Sequence, residues 1–428
     1  MKIERLTKET TQDILTKLLK RSPMNYTEYE ATVNDILNNV RTRGDEAVFD
    51  YTKRFDKADI NASNVKVTPE EIKAAYDEVS DELLDVIRKA LVKIRAYHEK
   101  QVEQGWFTTE NGILLGQKVT PLEKVGVYVP GGKAAYPSSV LMNIVPAKVA
   151  GVPNIIMTTP ADATGKVYAQ TLVAANEAGA DAIYKIGGAQ AIGALAYGTE
   201  SIPKVDKITG PGNIYVALAK KAVFGYVGID SIAGPSEILV LADETADPRF
   251  VAADLLSQAE HDELASAILV TTSEKLAKEV EKEIEGFLNV LSRKEIIEKS
   301  LENYGYLLVA DDMDAAIDAV NAIASEHLEI VTKNPYEDMT KVKNAGAIFL
   351  GSYSSEPLGD YFAGPNHVLP TNGTARFFSA LCVQDFIKKS SIISYSKDAL
   401  EAIHKDIETF ATCEQLTAHA NSIKVRYE

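Results

Sequence analysis

Cysteine is nearly absent: Cys382 and Cys413 are the two in 428 residues. That is too few, and too far apart, for a disulfide framework or a thiolate metal cage, and a reducing cytoplasm is the expected compartment. No uncharged apolar run reaches the ~18 residues that a membrane span needs. The opening stretch, MKIERLTKETTQDILTKLLKRS, is charged throughout and does not read as a secretory signal. Basic surplus is missing too: 45 Lys and Arg stand against 61 Asp and Glu, a net charge of -16. Such a balance repels phosphate backbones and anionic lipid, so neither nucleic acid nor membrane is an expected partner. Lys220-Lys221 and Lys388-Lys389 are isolated pairs that read as solvated helix ends.

What is present is the composition of a folded protein, 46% hydrophobic and 25% charged, in a chain too long for one core, so two or more lobes are expected. Up to about Lys100 the pattern is helical with charged faces: Thr11 to Leu19, Tyr26 to Asp50 and Pro69 to Glu99, a packing collar. Gly105 to Thr120 predicts a hairpin turning at Glu110-Asn111-Gly112. From Lys124, short apolar runs alternate with alanine-rich helices. Strands are predicted at Val125-Val129, Asn154-Thr158, Ala182-Ile186 and Lys207-Ile208, with helices at Ser139-Ala150, Lys166-Ala178, Gln190-Tyr197 and Ile214-Val223 that end near glycines. The alternation resumes with strands at Ile238-Ala242, Ala267-Thr271, Tyr306-Val309, Leu328-Val331 and Ala347-Leu350. Two doubly wound α/β lobes with parallel sheets follow, Rossmann-like but incomplete. The tail from Leu381, ending in a helical stretch Ala399 to Asn421, is too small to fold alone and should dock on another lobe or subunit.

The chemistry sits in clusters far apart in sequence. LGDYFAGPNHVLPTNGTARFF, from Leu358 to Phe378, sets Asp, Asn, His, Thr and Arg among glycines and prolines, an expensive loop to order and therefore a candidate site. Gln258-Ala259-Glu260-His261, Ser325-Glu326-His327 and Glu414 to His419 offer Asp360 matching partners. On one helix, Gln258 and His261 lie about 300° apart and point at the same object. With Asp360 and His419 they make a nitrogen and oxygen set suited to zinc. Hydrogen-bonded or exposed histidines are the bland alternative, and glutamine is a poor zinc ligand. His327 suits proton abstraction and Glu326 could activate water; a plain helix end is the alternative. Glycine turns at Tyr128-Val129-Pro130-Gly131-Gly132, Gly187-Gly188-Ala189-Gln190 and Gly210-Pro211-Gly212-Asn213 stand at strand-to-helix junctions that favour an anion. The dinucleotide fingerprint is incomplete, because Tyr215 occupies its third glycine position. His98 and His404 read as solvated, His367 as an outer support of the site, and both cysteines as small apolar fillers.

At these residues the chain resembles the histidinol dehydrogenase family, a zinc enzyme family ending histidine biosynthesis. GVYVPGG, GGAQAIGALAYGT, KITGPGN, AGPSEILVLAD, LLSQAEHD, SEHLEI, GDYFAGPNHVLPT and CEQLTAHANS resemble family segments, in the family's order, over nearly the full length. The resemblance implies zinc, one per subunit, on Gln258, His261, Asp360 and His419, with Glu326 and His327 as acid/base residues. It implies L-histidinol bound by Ser236, Glu414, the acid/base pair and the zinc ligands, and NAD contacted by Tyr128, Gln190 and Asn213. Two hydride transfers to NAD would carry alcohol to aldehyde and aldehyde to acid. The family forms an intertwined homodimer in which the C-terminal segment reaches the partner's site. That divides the chain into 1-22 (dimerisation), 23-127 with 235-380 (large domain with most of the site), 128-234 (NAD domain) and 381-428 (contribution to the partner).

Glu414 and His419 stand about 140° apart on an ideal helix, so a helix end or loop is predicted between them. Three rival readings remain: a cysteine-dependent aldehyde dehydrogenase, a zinc hydrolase, and a non-catalytic α/β ligand-binding protein.

Overall fold

The computed structural model describes residues 1–21, 27–131 and 135–428. They form two compact units, Met1–Gln101 with Leu122–Phe386, and Val102–Pro121 with Ile387–Glu428.

The first unit holds two parallel sheets. In the five-stranded sheet the spatial order is Ala182–Tyr184, Asn154–Thr158, Lys124–Tyr128, Lys207–Thr209, Gly228–Ile229. In chain order that is third, second, first, fourth, fifth, the doubly wound arrangement whose direction reverses between the first and fourth strands. The six-stranded sheet repeats it: Gly305–Val309, Ser266–Thr271, Glu237–Ala242, His327–Val331 and Ala347–Leu350 follow the same order, with Lys2–Arg5 added beside Gly305–Val309. Strands of this kind are covered on both faces, which is why Ile238–Ala242 reads as an unbroken apolar run and the whole strand Glu237–Ala242 is buried at every position. Gly151 (φ 88°) and Gly179 (φ 93°) end their helices in the left-handed conformation expected of them.

Several expectations need correction. Tyr26 lies outside the described residues, and the helix expected from it to Asp50 is two helices, Thr27–Arg43 and Asp45–Phe55, separated by Gly44 at φ 55°. The span Pro69 to Glu99 is likewise broken into Pro69–Glu78 and Asp81–Glu99, because Val79 is extended and the Ser80 hydroxyl caps the second helix through the Leu83 amide at 3.2 Å. These helices, grouped from the sequence with residues 235–380, pack instead on the five-stranded sheet. Val33, Ile36, Val40 and Val48 meet Ile192, Leu195 and Ile208 on one face, and Ile87 and Ile94 meet Leu141 and Val145 on the other. The N-terminal segment belongs to the six-stranded sheet, where Ile14 and Leu18 are buried with Leu239 and Ile330.

The second unit is the antiparallel sheet Ile387–Tyr395, Ile113–Pro121, Trp106–Glu110 with three short helices, Lys397–Glu401, His404–Cys413 and Thr417–Lys424. Its hairpin turns at Asn111 and Gly112, both at positive φ (47° and 78°), as the Asn-Gly signal predicts. Lys388 and Lys389 lie in its strand rather than at a helix end. Among its described residues only Gly116 and Ala411 are buried, while Trp106, Phe107, Ile393 and Phe410 are 51–74% exposed. A unit with so little interior has no core of its own.

Candidate active site

Glu326 and His327 enter the site through the backbone of Glu237. The two strands that begin at Glu237 and His327 are neighbours, which brings the three residues together at the amino ends of the strands. The Glu237 amide donates to Glu326 Oε2 at 2.9 Å, and its carbonyl accepts from His327 Nδ1 at 3.0 Å. A carbonyl only accepts, so Nδ1 carries the hydrogen and Nε2 is the face turned to the cavity. Nε2 is buried without a hydrogen-bond partner and lies 3.8 Å from Asp360 Oδ1. The Glu237 carboxylate is itself fixed by a buried ion pair with Arg21 at 2.6 Å. A cavity of about 400 Å³ opens here, lined by His327, Phe349, Asp360, His367 and Leu369. His367 Nδ1 donates to the Asp360 carbonyl at 3.0 Å, and its Nε2 is 3.5 Å from Ser139 Oγ, at the start of the helix Pro137–Ala150 of the other lobe.

The donors needed for a metal also meet. The helix Pro248–Ala259 stops short of the expected end, and His261 follows it, its amide bonded to the Gln258 carbonyl at 3.2 Å. Ligand atoms of His261, Glu356 and Asp360 lie within 4.8 Å of one another. Gln258 is buried and its Oε1 has no partner, an orphaned oxygen that a cation would satisfy. These nitrogen and oxygen donors fit zinc. Glu356 was not singled out from the sequence. Its signal was there: it stands four residues before Asp360 on the short helix Glu356–Tyr361, which begins just before the run expected to be loop and extends into it, and i,i+4 residues share a face.

Electrostatics separate the groups. Burial pushes the Glu326 pKa up to about 8. Burial opposes charge on His327, but Glu326, Asp360 and Glu356 more than offset it and raise that pKa to about 10. Burial acts to raise Asp360, yet the neighbouring His327 and His367 hold it below the usual carboxylate range. His261 leaves much of its side chain at the rim, while the atoms packed on its inner side lower its pKa.

Tyr128, Gln190 and Asn213 gather on a second cavity of about 1120 Å³, at the carboxyl ends of the five-stranded sheet and beside its reversal point. Gln190 is buried, and neither atom of its amide has a partner. The Tyr128 hydroxyl accepts from the Gly188 amide at 3.2 Å, at the start of the helix Gly188–Tyr197. Lys220, read as solvated, is buried: its ammonium donates to the Gly210 carbonyl at 2.9 Å and pairs with Asp230, which also accepts from the Gly210 amide at 2.8 Å. This clamp holds the Gly210 turn in place. Lys221 pairs with Glu30.

Ser236 precedes Glu237 and is half-buried. Glu414 and His419 belong to the other unit, where both are exposed. The predicted break between them is present: one helix ends at Cys413, Gln415 has φ 60°, and the next begins at Thr417. His98 is not solvated but fully buried, its Nδ1 at 2.7 Å from Gln101 Oε1 and its Nε2 at 3.3 Å from Asn366 Nδ2, so it braces the residue before His367. His404 is not free in solvent either; it bonds Glu408 at 3.0 Å and rests on the Tyr427 ring. Of the cysteines, Cys382 is half-buried beside Asp385, and Cys413 is exposed rather than a filler.

A family model described as histidinol dehydrogenase matches residues 19–427. Histidinol dehydrogenase of Caldanaerobacter subterraneus subsp. tengcongensis is 58% identical over 98% of each chain, and that of Aquifex aeolicus is 55% identical over 100% of this chain and 99% of its own. The crystal structure of histidinol dehydrogenase from Elizabethkingia anophelis superposes with a TM-score of 0.93 at 39% identity, over 99% of this chain and 97% of that one. Full-length sequence similarity and a shared fold lead to one conclusion: the chain belongs to the histidinol dehydrogenase family.

Proposed function

We propose that this chain oxidises L-histidinol to L-histidine through the aldehyde, using zinc and two NAD, as the closing steps of histidine biosynthesis. The observation that carries the reading is His327, anchored through Nδ1 on Glu237 with its unpartnered Nε2 facing the donor set of His261, Glu356 and Asp360. Zinc would be held by Gln258, His261 and Asp360, with His419 supplied by a second copy, and when bound it supplies a Lewis-acid anchor for the imidazole and amine nitrogens of the substrate. Ser236 and Glu414 complete the substrate contacts.

With the carboxylates that keep His327 protonated offset by a cation held on His261 and Asp360, Nε2 is freed of that proton and takes the substrate hydroxyl proton as the first hydride leaves for nicotinamide. Glu326, buried beside it, takes a proton from the water that adds to the aldehyde, and the hydrate loses the second hydride. One turnover thus converts alcohol, water and two NAD to acid, two NADH and two protons. Tyr128, Gln190 and Asn213 contact the dinucleotide in residues 128–234. Residues 1–22 and 381–428 serve the homodimer, a role supported by the missing core of the second unit and the exposure of Glu414 and His419.

The test is to incubate purified protein with histidinol, NAD and zinc and to count NADH per histidine. Two are expected; one would overturn the four-electron reading, and product without NADH would indicate a hydrolase. His261→Ala should lose metal by elemental analysis, whereas His327→Ala should keep the metal and bind histidinol but lose about 10²–10⁴-fold in turnover. Mixing the inactive Glu326→Ala and His419→Ala chains should restore activity in mixed dimers; a dead mixture would refute shared sites.

A further inference from the structure

The dinucleotide cleft lacks a group that doubly wound lobes ordinarily place at the end of their second strand, a carboxylate that accepts the hydroxyls of the adenosine ribose. Here the second strand runs Asn154–Thr158 and is followed by Thr159, Pro160 and Ala161. The next acid, Asp162, has one carboxylate oxygen committed locally: its Oδ1 accepts from the Thr164 amide (2.8 Å) and hydroxyl (2.6 Å) and from the Lys166 amide (3.1 Å). Asp35, also on the cavity wall, faces the Tyr51 hydroxyl at 3.4 Å.

Asp56 is different. It lines the same cavity from outside the βαβ units, as the residue that closes the helix Asp45–Phe55. Its Oδ2 is buried and has no hydrogen-bond partner. The position is unfavourable on three counts. A carboxylate at a helix C-terminus meets the negative end of the helix dipole, a buried carboxylate without a donor forfeits its hydration, and no cation offsets the burial that raises its pKa to about 6. A group held against so many local costs suggests a ligand that supplies donors.

The placement selects which end of the dinucleotide it meets. The helix bearing Asp56 packs with Ile192 and Leu195 on one face of the five-stranded sheet, whereas the helix that brings Ser139 to His367 packs on the other. Nicotinamide must reach the His327 side, so a dinucleotide crossing the strand ends leaves its adenosine half toward Asp56.

Resting on the dinucleotide reading above, we infer that Asp56 accepts the hydroxyls of the adenosine ribose, taking the place of the missing second-strand acid, and that it sets the preference for NAD over NADP. A vicinal diol donates two hydrogen bonds to a carboxylate; a 2′-phosphate brings like charge instead.

The experiment is calorimetric titration of the full-length, zinc-loaded protein with NAD and with NADP, comparing wild type, Asp56→Asn, Asp56→Ala and the control Asp162→Asn, together with the KM for each nucleotide and the thermal midpoint. Expected are NAD affinity lowered roughly 10- to 100-fold in Asp56→Ala, a collapsed NAD/NADP ratio in both Asp56 variants, an unchanged Asp162→Asn, and thermal midpoints equal to or above wild type. Folded Asp56 variants with the wild-type NAD/NADP ratio would overturn the assignment while the cleft stands. Wild type binding neither nucleotide would overturn the cleft reading, and this inference with it.

Discussion

Arg21→Met tests how Glu326 and His327, the proposed acid/base pair, are held. Arg21 and Glu237 are both buried, at 1% and 2% exposure, and the guanidinium also covers the Tyr304 ring at 4.9 Å. Methionine keeps much of the apolar volume and removes the charge. Glu237 then has no cation opposite a carboxylate whose Oε2 is already unbonded, and breaking a buried pair from one side costs about 3–5 kcal/mol. Against a total stability on the order of 5–15 kcal/mol, that is a large fraction. Since the Glu237 backbone holds both Glu326 and His327, turnover should fall as well. The sign with pH follows from Glu237. Burial raises its folded pKa even with Arg21 present, so its charged form destabilises the fold, and stability present below the unfolded value of about 4.3 is lost as pH rises. The deficit of Arg21→Met against wild type should therefore be smallest near about pH 5 and grow toward pH 8 in urea titrations followed by circular dichroism. Arg21→Met with Glu237→Leu should recover most of it. A deficit under about 1 kcal/mol at pH 8, or one that shrinks with rising pH, would refute the reasoning.

Other outcomes follow from the same structure. Replacing Cys382 and Cys413 together by serine should leave turnover near normal, because burial and Asp385 raise the Cys382 thiol pKa and Cys413 lies in the other unit; abolished turnover would revive the covalent aldehyde dehydrogenase reading. Gly210→Ala should destabilise the lobe built on the five-stranded sheet, since at φ 118° its added methyl would strike the Tyr128 carbonyl; on the proposed reading NAD affinity, read by calorimetry, should be lost with it, and intact binding would contradict the tight-turn account. His98→Ala should raise KM for histidinol through the Asn366–His367 loop more than it alters NAD affinity; equal effects on both would assign His98 a general structural role.

Much of the architecture was legible because its signals are local. Period and length marked the strands, glycines marked helix ends such as Gly151 and Gly179, and Asn111-Gly112 marked a hairpin. The interior helix breaks were less visible: Gly44 and Ser80 interrupt apolar patterns that continue across them. The fate of polar residues was hidden for another reason. His98 and Lys220 sit in charged helical text, and only long-range partners, Asn366 for one and the Gly210 turn for the other, show why they are buried. Glu237 was hidden inside an apolar strand, and its role appears only when Arg21 and His327 arrive from either side. Asp360 and His261 announced themselves by their unusual neighbours, whereas Glu356 needed the helix geometry.

Both lobes share one strand order, yet the two candidate sites lie on opposite rims: carboxyl ends in the first lobe, amino ends in the second. On the second lobe's opposite rim, the Asp243 carboxylate takes up the amides of Thr245 at 2.9 Å and Lys333 at 2.8 Å. A fold that once wired can host chemistry at either edge leaves a spare margin, and that margin is where an affinity tag or an inserted peptide should be tolerated without disturbing turnover.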